Sequence, residues 1–424
     1  MPATRSRVGM FAVLLLVLAL LVGDQQDSAP EFGPRVSAAP VPPMGWNSWN
    51  SFGCAIDEST ILRAAHALAD SGMRDAGYRY VIVDDCWQAP ARAADGSLTA
   101  DPGRFPHGMA WLGAQIHALG EKFGIYQSPR ERTCAQLAGA IPGATGALGH
   151  EAQDARTFAD WGVDYLKYDW CSAAGSVADQ ARTFARMGRA LRATGRSIVF
   201  SVNPNSAHAV TGIGYDWGRV ADLWRTTSDI TDAWHTGCPA ACPAGGALGV
   251  TDILDQQAPL WRAAGPGRWN DPDMLEVGVR GTFSLDENRA HLVMWAMLSA
   301  PLIAGNDVAA MPASVRGVLT DPDVIAIDQD RLGRAAQRVR DDGNTEVWAR
   351  PLADGSVAVA LLNRSDTPAR IVTSVAEVAP AGALPPATSY TAFDVWAKTT
   401  VATTGGLTAS VPPRAAVVYR VSCR

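Results

Sequence analysis

The stretch VDYLKYDWC, residues 163–171, reads as a buried strand through Val163, Tyr165, Leu166 and Tyr168, yet it carries Lys167 and Asp169 two positions apart. Strand alternation sends Lys167 and Asp169 to one face and Leu166, Tyr168 and Trp170 to the other. A cation near a carboxylate favours the ionised form, which a carboxylate nucleophile needs. The competing reading is a purely structural buried ion pair, which is costly and a weak stabiliser. Similar groups close other apolar runs: Asp84-Asp85 after YRYVIV, Tyr126 in KFGIYQ, Asn203 after SIVFSV, Arg225 and Asp229 in LWRTTSD, Asp271 and Asp273 in WNDPDM, and Asn306-Asp307 after PLIAG, with Trp46 and Trp49 beside the first. No serine elbow and no histidine or cysteine nucleophile recurs among them. Carboxylates, tryptophans, a lysine and an arginine suit glycoside hydrolysis, in which two carboxylates flank a sugar and aromatic and polar side chains read its faces and hydroxyls. A single strand-end Asp is equally well a loop cap or Asx-turn. It is the repetition at one end of many strands that favours a site.

The elements that must position these residues follow from periodicity. Between residues 44 and about 330, short apolar runs alternate with segments such as 61–76, 151–162 and 178–195, in which Ala, Leu and Phe recur at three-to-four spacing. Strand, helix, strand at this spacing means parallel βα units. The candidate strands are MGWNSW, YRYVIVDD, KFGIYQ, VDYLKYD, SIVFSVN, LWRTTSD, GRWND and PLIAGND. Eight strands in this length predict an α/β fold, a (β/α)8 TIM barrel, whose active site lies at the C-terminal strand ends. A doubly wound open sheet is the alternative, although no G-x-G-x-x-G follows the first strand. Beyond about residue 333 the texture changes. EVWARPLADGSVAVALLNR alternates around Asp354-Gly355 as a hairpin does, and SYTAFDVWAK and AAVVYRVS lack helical periodicity. We expect a leader over 1–39, the barrel over 40–332 and a C-terminal antiparallel β-sandwich over 333–424.

Composition bounds the function class. The 424 residues are 47% hydrophobic and 18% charged with a net charge of −6, so there is no basic excess to hold nucleic acid. Arg5 and Arg7 precede MFAVLLLVLALLVG, a run too short for an ordinary membrane span and shaped like a secretory signal. Export predicts an extracellular protein with no membrane attachment after processing, and it makes the seven cysteines candidates for disulfides. Cys238 and Cys242 are close enough to close a small loop; Cys54, Cys86, Cys134 and Cys171 are candidates for two longer bridges, and Cys423 is left over. No C-x-x-C pair suggests a metal site, and we expect neither metal nor organic cofactor.

The motifs PPMGWNSWNSFGC, VDDCW, FPHGM, KFGIY, GHEAQDARTFADWGVDYLKYDWC, LWRTTSDI, WNDPDMLEVG, SAPLIAGND and VIAIDQDRLG occur in order. In this the chain resembles family 27 of the glycoside hydrolases, most closely the α-galactosidases. The resemblance implies hydrolysis of terminal α-D-galactosyl residues from oligosaccharides or polysaccharides by double displacement. It implies Asp169 as nucleophile and Asp229 as acid/base, with Trp49, Asp84, Asp85, Tyr126, Lys167, Arg225 and Asp273 in the sugar pocket. It also implies the bridges Cys54–Cys86 and Cys134–Cys171. SVNPNS stands where many relatives carry Cys-Glu-Trp, so Asn203 is the residue expected to read the sugar's 2-position. Bulky Trp170 and polar Asn203 favour a plain 2-hydroxyl there over an acetamido group. Within the family, β-L-arabinopyranosidase, α-N-acetylgalactosaminidase and an α-glucan-cleaving activity are the alternatives. A non-catalytic carbohydrate-binding protein would require loss of one of the two carboxylates, and both are present.

Overall fold

The computed structural model describes residues 37–204, 215–238, 246–382 and 384–424. The apolar run at residues 10–23 and Cys242 lie outside these segments. Eight short strands, β1 (Met44–Asn47), β2 (Tyr80–Val83), β3 (Lys122–Gln127), β4 (Tyr165–Asp169), β5 (Val199–Asn203), β6 (Leu223–Arg225), β7 (Trp269–Asp271) and β8 (Leu302–Ala304), pair in parallel in the order β7-β6-β5-β4-β3-β2-β1-β8. The ring closes just past β7, where Leu275 bridges to Ala304 and donates its N–H to the Ile303 carbonyl at 2.8 Å. β3 spans its expected run, whereas β4, β5 and β7 begin two residues later than the apolar runs suggested and end as expected on Asp169, Asn203 and Asp271, which remain paired in the ladder. Gly45 is required where β1 meets β2: a side chain there would run into the Tyr80 carbonyl.

Amphipathic helices wrap the ring. The helix Glu58–Asp70 is capped by Asp57, and Val177–Ala193 opens with a capping box from Ser176 and Asp179. Buried Tyr80, Ile82, Tyr165, Val199, Leu223, Trp269 and Ile303 fill the barrel interior as a packed layer, which leaves only the mouth open for chemistry.

The C-terminal strands are β9 (Gln337–Asp341), β10 (Thr345–Pro351), β11 (Val357–Asn363), β12 (Ala369–Ser374), β13 (Tyr390–Asp394), β14 (Thr399–Thr403), β15 (Gly406–Val411) and β16 (Ala415–Cys423). Six form one antiparallel sheet in the order β14-β13-β16-β11-β10-β9, and β12 and β15 form a second. The expected hairpin around Asp354-Gly355 is β10–β11. Val347, Val359, Leu361, Ile371, Leu407 and Val421 fill the space between the sheets. The sandwich docks on the helix Leu285–Leu298, where buried Arg350 donates to the Ala296 carbonyl and, at 3.2 Å, to Ser299 Oγ.

Candidate active site

The site is built from strand ends inward. Asp84 follows β2 and is buried; its Oδ2 accepts from Lys167 Nζ at 2.7 Å and from Asn47 Nδ2 at 2.6 Å. The nearest partner of Lys167 is therefore Asp84, two strands away in the sheet, and not Asp169. Burial opposes the charge on Lys167, but Asp84 and then Asp169 outweigh it and hold the ammonium well above its usual range. Asp85 spends both oxygens on backbone, accepting from Cys86 N at 2.7 Å and Ala135 N at 2.8 Å, and burial pushes it up to about 6. Tyr126 at the end of β3 is buried beneath the Lys167 ammonium, which lies 5.4 Å from its ring centroid.

Asp169 ends β4, opposite Asn203 in β5. It is 6% exposed, and its Oδ1 has no hydrogen-bond partner among the described residues. Burial pushes it up to about 7; Lys167 and Arg225 oppose this, while Asp229 and Asp84 reinforce it. Arg225 at the end of β6 ties the opposite wall together, donating to Asp229 Oδ1 at 3.0 Å and pairing with Asp273 Oδ2 at 2.7 Å. The Asp229 side chain is 62% exposed, so this carboxyl faces the open mouth while Asp169 sits at the floor. Asp273 also accepts from Ile230 N at 2.8 Å, and burial raises its carboxyl despite Arg225. Its φ of 86° and that of Cys86, 79°, are left-handed conformations that non-glycine residues adopt only where surroundings enforce them.

Two disulfides frame the floor. Cys54 is bonded to Cys86 and Cys134 to Cys171, with Cα separations of 5.2 and 4.9 Å. The second joins the loop after β3 to the residue two beyond Asp169, and Cys134 N and Cys171 Sγ both lie within reach of the Tyr126 hydroxyl, at 3.4 and 3.2 Å. The expected Cys238–Cys242 pairing falls partly outside the described residues, and Cys423 is free and exposed.

One cavity of about 570 Å³ is lined by all ten anticipated residues: Trp49, Asp84, Asp85, Tyr126, Lys167, Asp169, Asn203, Arg225, Asp229 and Asp273. Trp170 is not among them. It is buried on the outer side of β4, its ring centroid 5.8 Å from that of Phe184 and 5.0 Å from the Arg130 guanidinium, so the expectation that its bulk shapes the pocket does not hold. Alternation already placed Trp170 opposite Asp169, and that signal outranks side-chain bulk. Sequence reasoning missed Asn47, which orients Asp84, and Asn50, Ser51, Glu276 and Arg280 at the rim. Asn47 was legible as an inward position of β1; the others sit on loops with no periodic signal. A larger cleft of about 920 Å³ lies at the barrel–sandwich junction, but its acids are already paired, Asp255 with Arg338 and Arg364, and Glu287 with Arg414.

Residues 41–330 match the family model described as Alpha galactosidase A, and residues 342–421 match the Alpha galactosidase C-terminal beta sandwich domain. The chain belongs to the alpha galactosidase A family. Members similar to it include Alpha-galactosidase A of Cellvibrio japonicus, 43% identical over 83% of this chain and 82% of the relative. The α-galactosidase of Cyamopsis tetragonoloba is 35% identical over 97% of each chain. Among solved structures, the Saccharomyces cerevisiae α-galactosidase with raffinose superposes with a TM-score of 0.81 at 30% identity, covering 92% of this chain and 99% of that one. Both parts of the family architecture, barrel and sandwich, are thus present in this chain.

Proposed function

We propose that this member of the α-galactosidase family is a retaining exo-glycosidase that removes terminal α-D-galactosyl residues from oligosaccharides or polysaccharides. The observation that carries the reading is the convergence of a buried Asp169, with one oxygen unpaired, and an exposed Asp229 on one cavity. An Asp169 oxygen attacks the anomeric carbon from the floor while Asp229 gives its proton to the departing oxygen at the mouth. Asp229 then takes a proton from water, which attacks the anomeric carbon and frees Asp169. Two inversions leave the configuration retained.

Selection of galactose over its 4-epimer needs partners for an axial hydroxyl. Asp84, Asp85 and Lys167 are locked by hydrogen bonds into fixed directions along one wall, which suits a site that rejects the epimer by leaving its own buried groups unpaired. Trp49 covers the apolar sugar face, Arg225 and Asp273 hold the opposite wall, and Asn203 stands at the 2-position. We further assign residues 1–39 to a secretory leader, 40–332 to the catalytic barrel and 333–424 to the sandwich, and place the mature enzyme outside the cell. The basic flank and apolar run at residues 5–23 and the disulfides beside the pocket support export. Among the described residues no helix is long and apolar enough to cross a membrane.

The test is kcat/KM for the nitrophenyl glycosides of α-galactose, α-N-acetylgalactosamine, β-L-arabinopyranose and α-glucose. The α-galactoside is expected to lead, the arabinopyranoside to trail because it lacks the C6 arm, and the α-glucoside to be nearly inert. A higher value for any of the other three overturns the assignment.

A further inference from the structure

The floor of the cavity is accounted for by the galactosyl unit, but its rim is not. Arg280 lies there, on the loop after β7, with a side chain 59% exposed and a backbone φ of 49°. An arginine in the left-handed region costs about 1 kcal/mol or more, and such strain persists where the surroundings hold the residue in place. Here they do so through Asp232, whose carboxylate accepts from Arg280 Nε at 2.9 Å and Nη2 at 2.6 Å and from Thr282 Oγ1 at 2.6 Å. This two-pronged grip fixes the guanidinium plane and leaves Nη1 with no hydrogen bond among the described residues. Beside it, Glu276 is 1% exposed, accepts from Asn50 Nδ2 through Oε1, and has an Oε2 with no partner among the described residues. Burial pushes Glu276 up to about 8 against the opposing Asn50 hydrogen bond and Arg280 charge, which favours its neutral form.

We propose that Arg280, with Asn50 beside it and Glu276 behind, recognises the sugar that leaves, so that the rim is a binding site for a hydroxyl-rich hexose aglycone. The inference rests on the reading of Asp229 as acid/base. That residue must face the leaving oxygen, and Arg280 is clamped to Asp232, three positions further along the same loop. The donors and acceptors that fit the galactosyl ring lie deeper, Asp84 and Asp85 buried after β2 and Lys167 half-buried on β4, whereas the Arg280 side chain is exposed. A fixed guanidinium with a free N–H suits a vicinal pair of hydroxyls and gives nothing specific to a methyl or nitrophenyl group.

Substrates separate this role from a simple clamp on the Asp229 loop. A loosened Asp229 hurts every poor leaving group, including methyl α-D-galactoside, whereas a lost aglycone contact hurts only substrates that carry a second sugar. We expect Arg280→Met and Arg280→Gly, the latter also relieving the backbone strain, to lower kcat/KM for melibiose and raffinose about ten-fold more than for methyl α-D-galactoside, the loss expected of a hydrogen bond to a charged group. Equal losses on methyl α-D-galactoside and melibiose, or no loss on either, overturn the proposal. Failure of the unmodified chain to hydrolyse nitrophenyl α-galactoside would instead defeat the underlying activity, independently of Arg280.

Discussion

At Asp169, burial and charge pull in opposite directions. Removal from water favours the neutral acid and pushes it up to about 7, while Lys167 and Arg225 favour the carboxylate that a nucleophile requires. The sign for catalysis follows. In the proposed mechanism the ionised form is the active one, so kcat/KM of the free enzyme is expected to fall as pH drops through about 7. Lys167 lowers this value from close range, so Lys167→Met is expected to move the acid limb of the profile to higher pH by about one unit, apart from any loss in overall rate through the broken contact to Asp84. A limb that stays in place or moves to lower pH contradicts the assignment. The same residues answer why a cation sits inside an otherwise apolar strand. Lys167 is held by Asp84 at 2.7 Å, and its charge reaches both Asp84 and Asp169. The sequence indicated the face on which Lys167 lies but not its partner, because pairing across β2 and β4 depends on barrel curvature, which strand alternation does not encode.

At the level of elements, short strands deliver side chains and loops hold them in place. The disulfide between Cys134 and Cys171 spans 37 residues and anchors the chain immediately beyond β4 to the loop after β3. Cross-links of this kind are worth about 2–4 kcal/mol. Cys171→Ser is expected to lower stability by about that amount, and to lower kcat/KM as well because the Asp169 main chain and the Tyr126 hydroxyl lose a shared support. Cys423→Ser, at an exposed free thiol, serves as the control. Thermal unfolding and kinetics on both variants check this, and full activity in Cys171→Ser would contradict it. Elements with strong periodicity, such as the helix Val177–Ala193 and strand β3, were legible from the sequence almost to their ends. β9, β12, β14 and β15 were not, since they are partly exposed and carry charged or small residues. The rim residues Glu276 and Arg280 were equally silent, because a loop conformation such as the positive φ of Arg280 leaves no pattern in sequence.

Across the whole molecule, Asp169 on β4 and Asp229 just past β6, the proposed nucleophile and acid/base, meet only because eight parallel strands close into a ring, with Leu275 and Ala304 completing it. The count of strands and the repetition of carboxylates at their ends made this architecture readable; the packing that sets Asp169 at the floor and Asp229 at the mouth was not, since both look alike as strand-end acids. The central claim is that these two like residues do different work, Asp169 forming the bond to sugar and Asp229 moving the proton. The most direct measurement is to trap the galactosyl-enzyme with a fluorinated galactosyl inactivator carrying a good leaving group and to locate the label by mass spectrometry of the digested protein. We expect one galactosyl adduct, on the peptide containing Asp169, and none in Asp169→Asn. A label on Asp229 or any other residue, or turnover with inverted configuration and no adduct, would contradict the account.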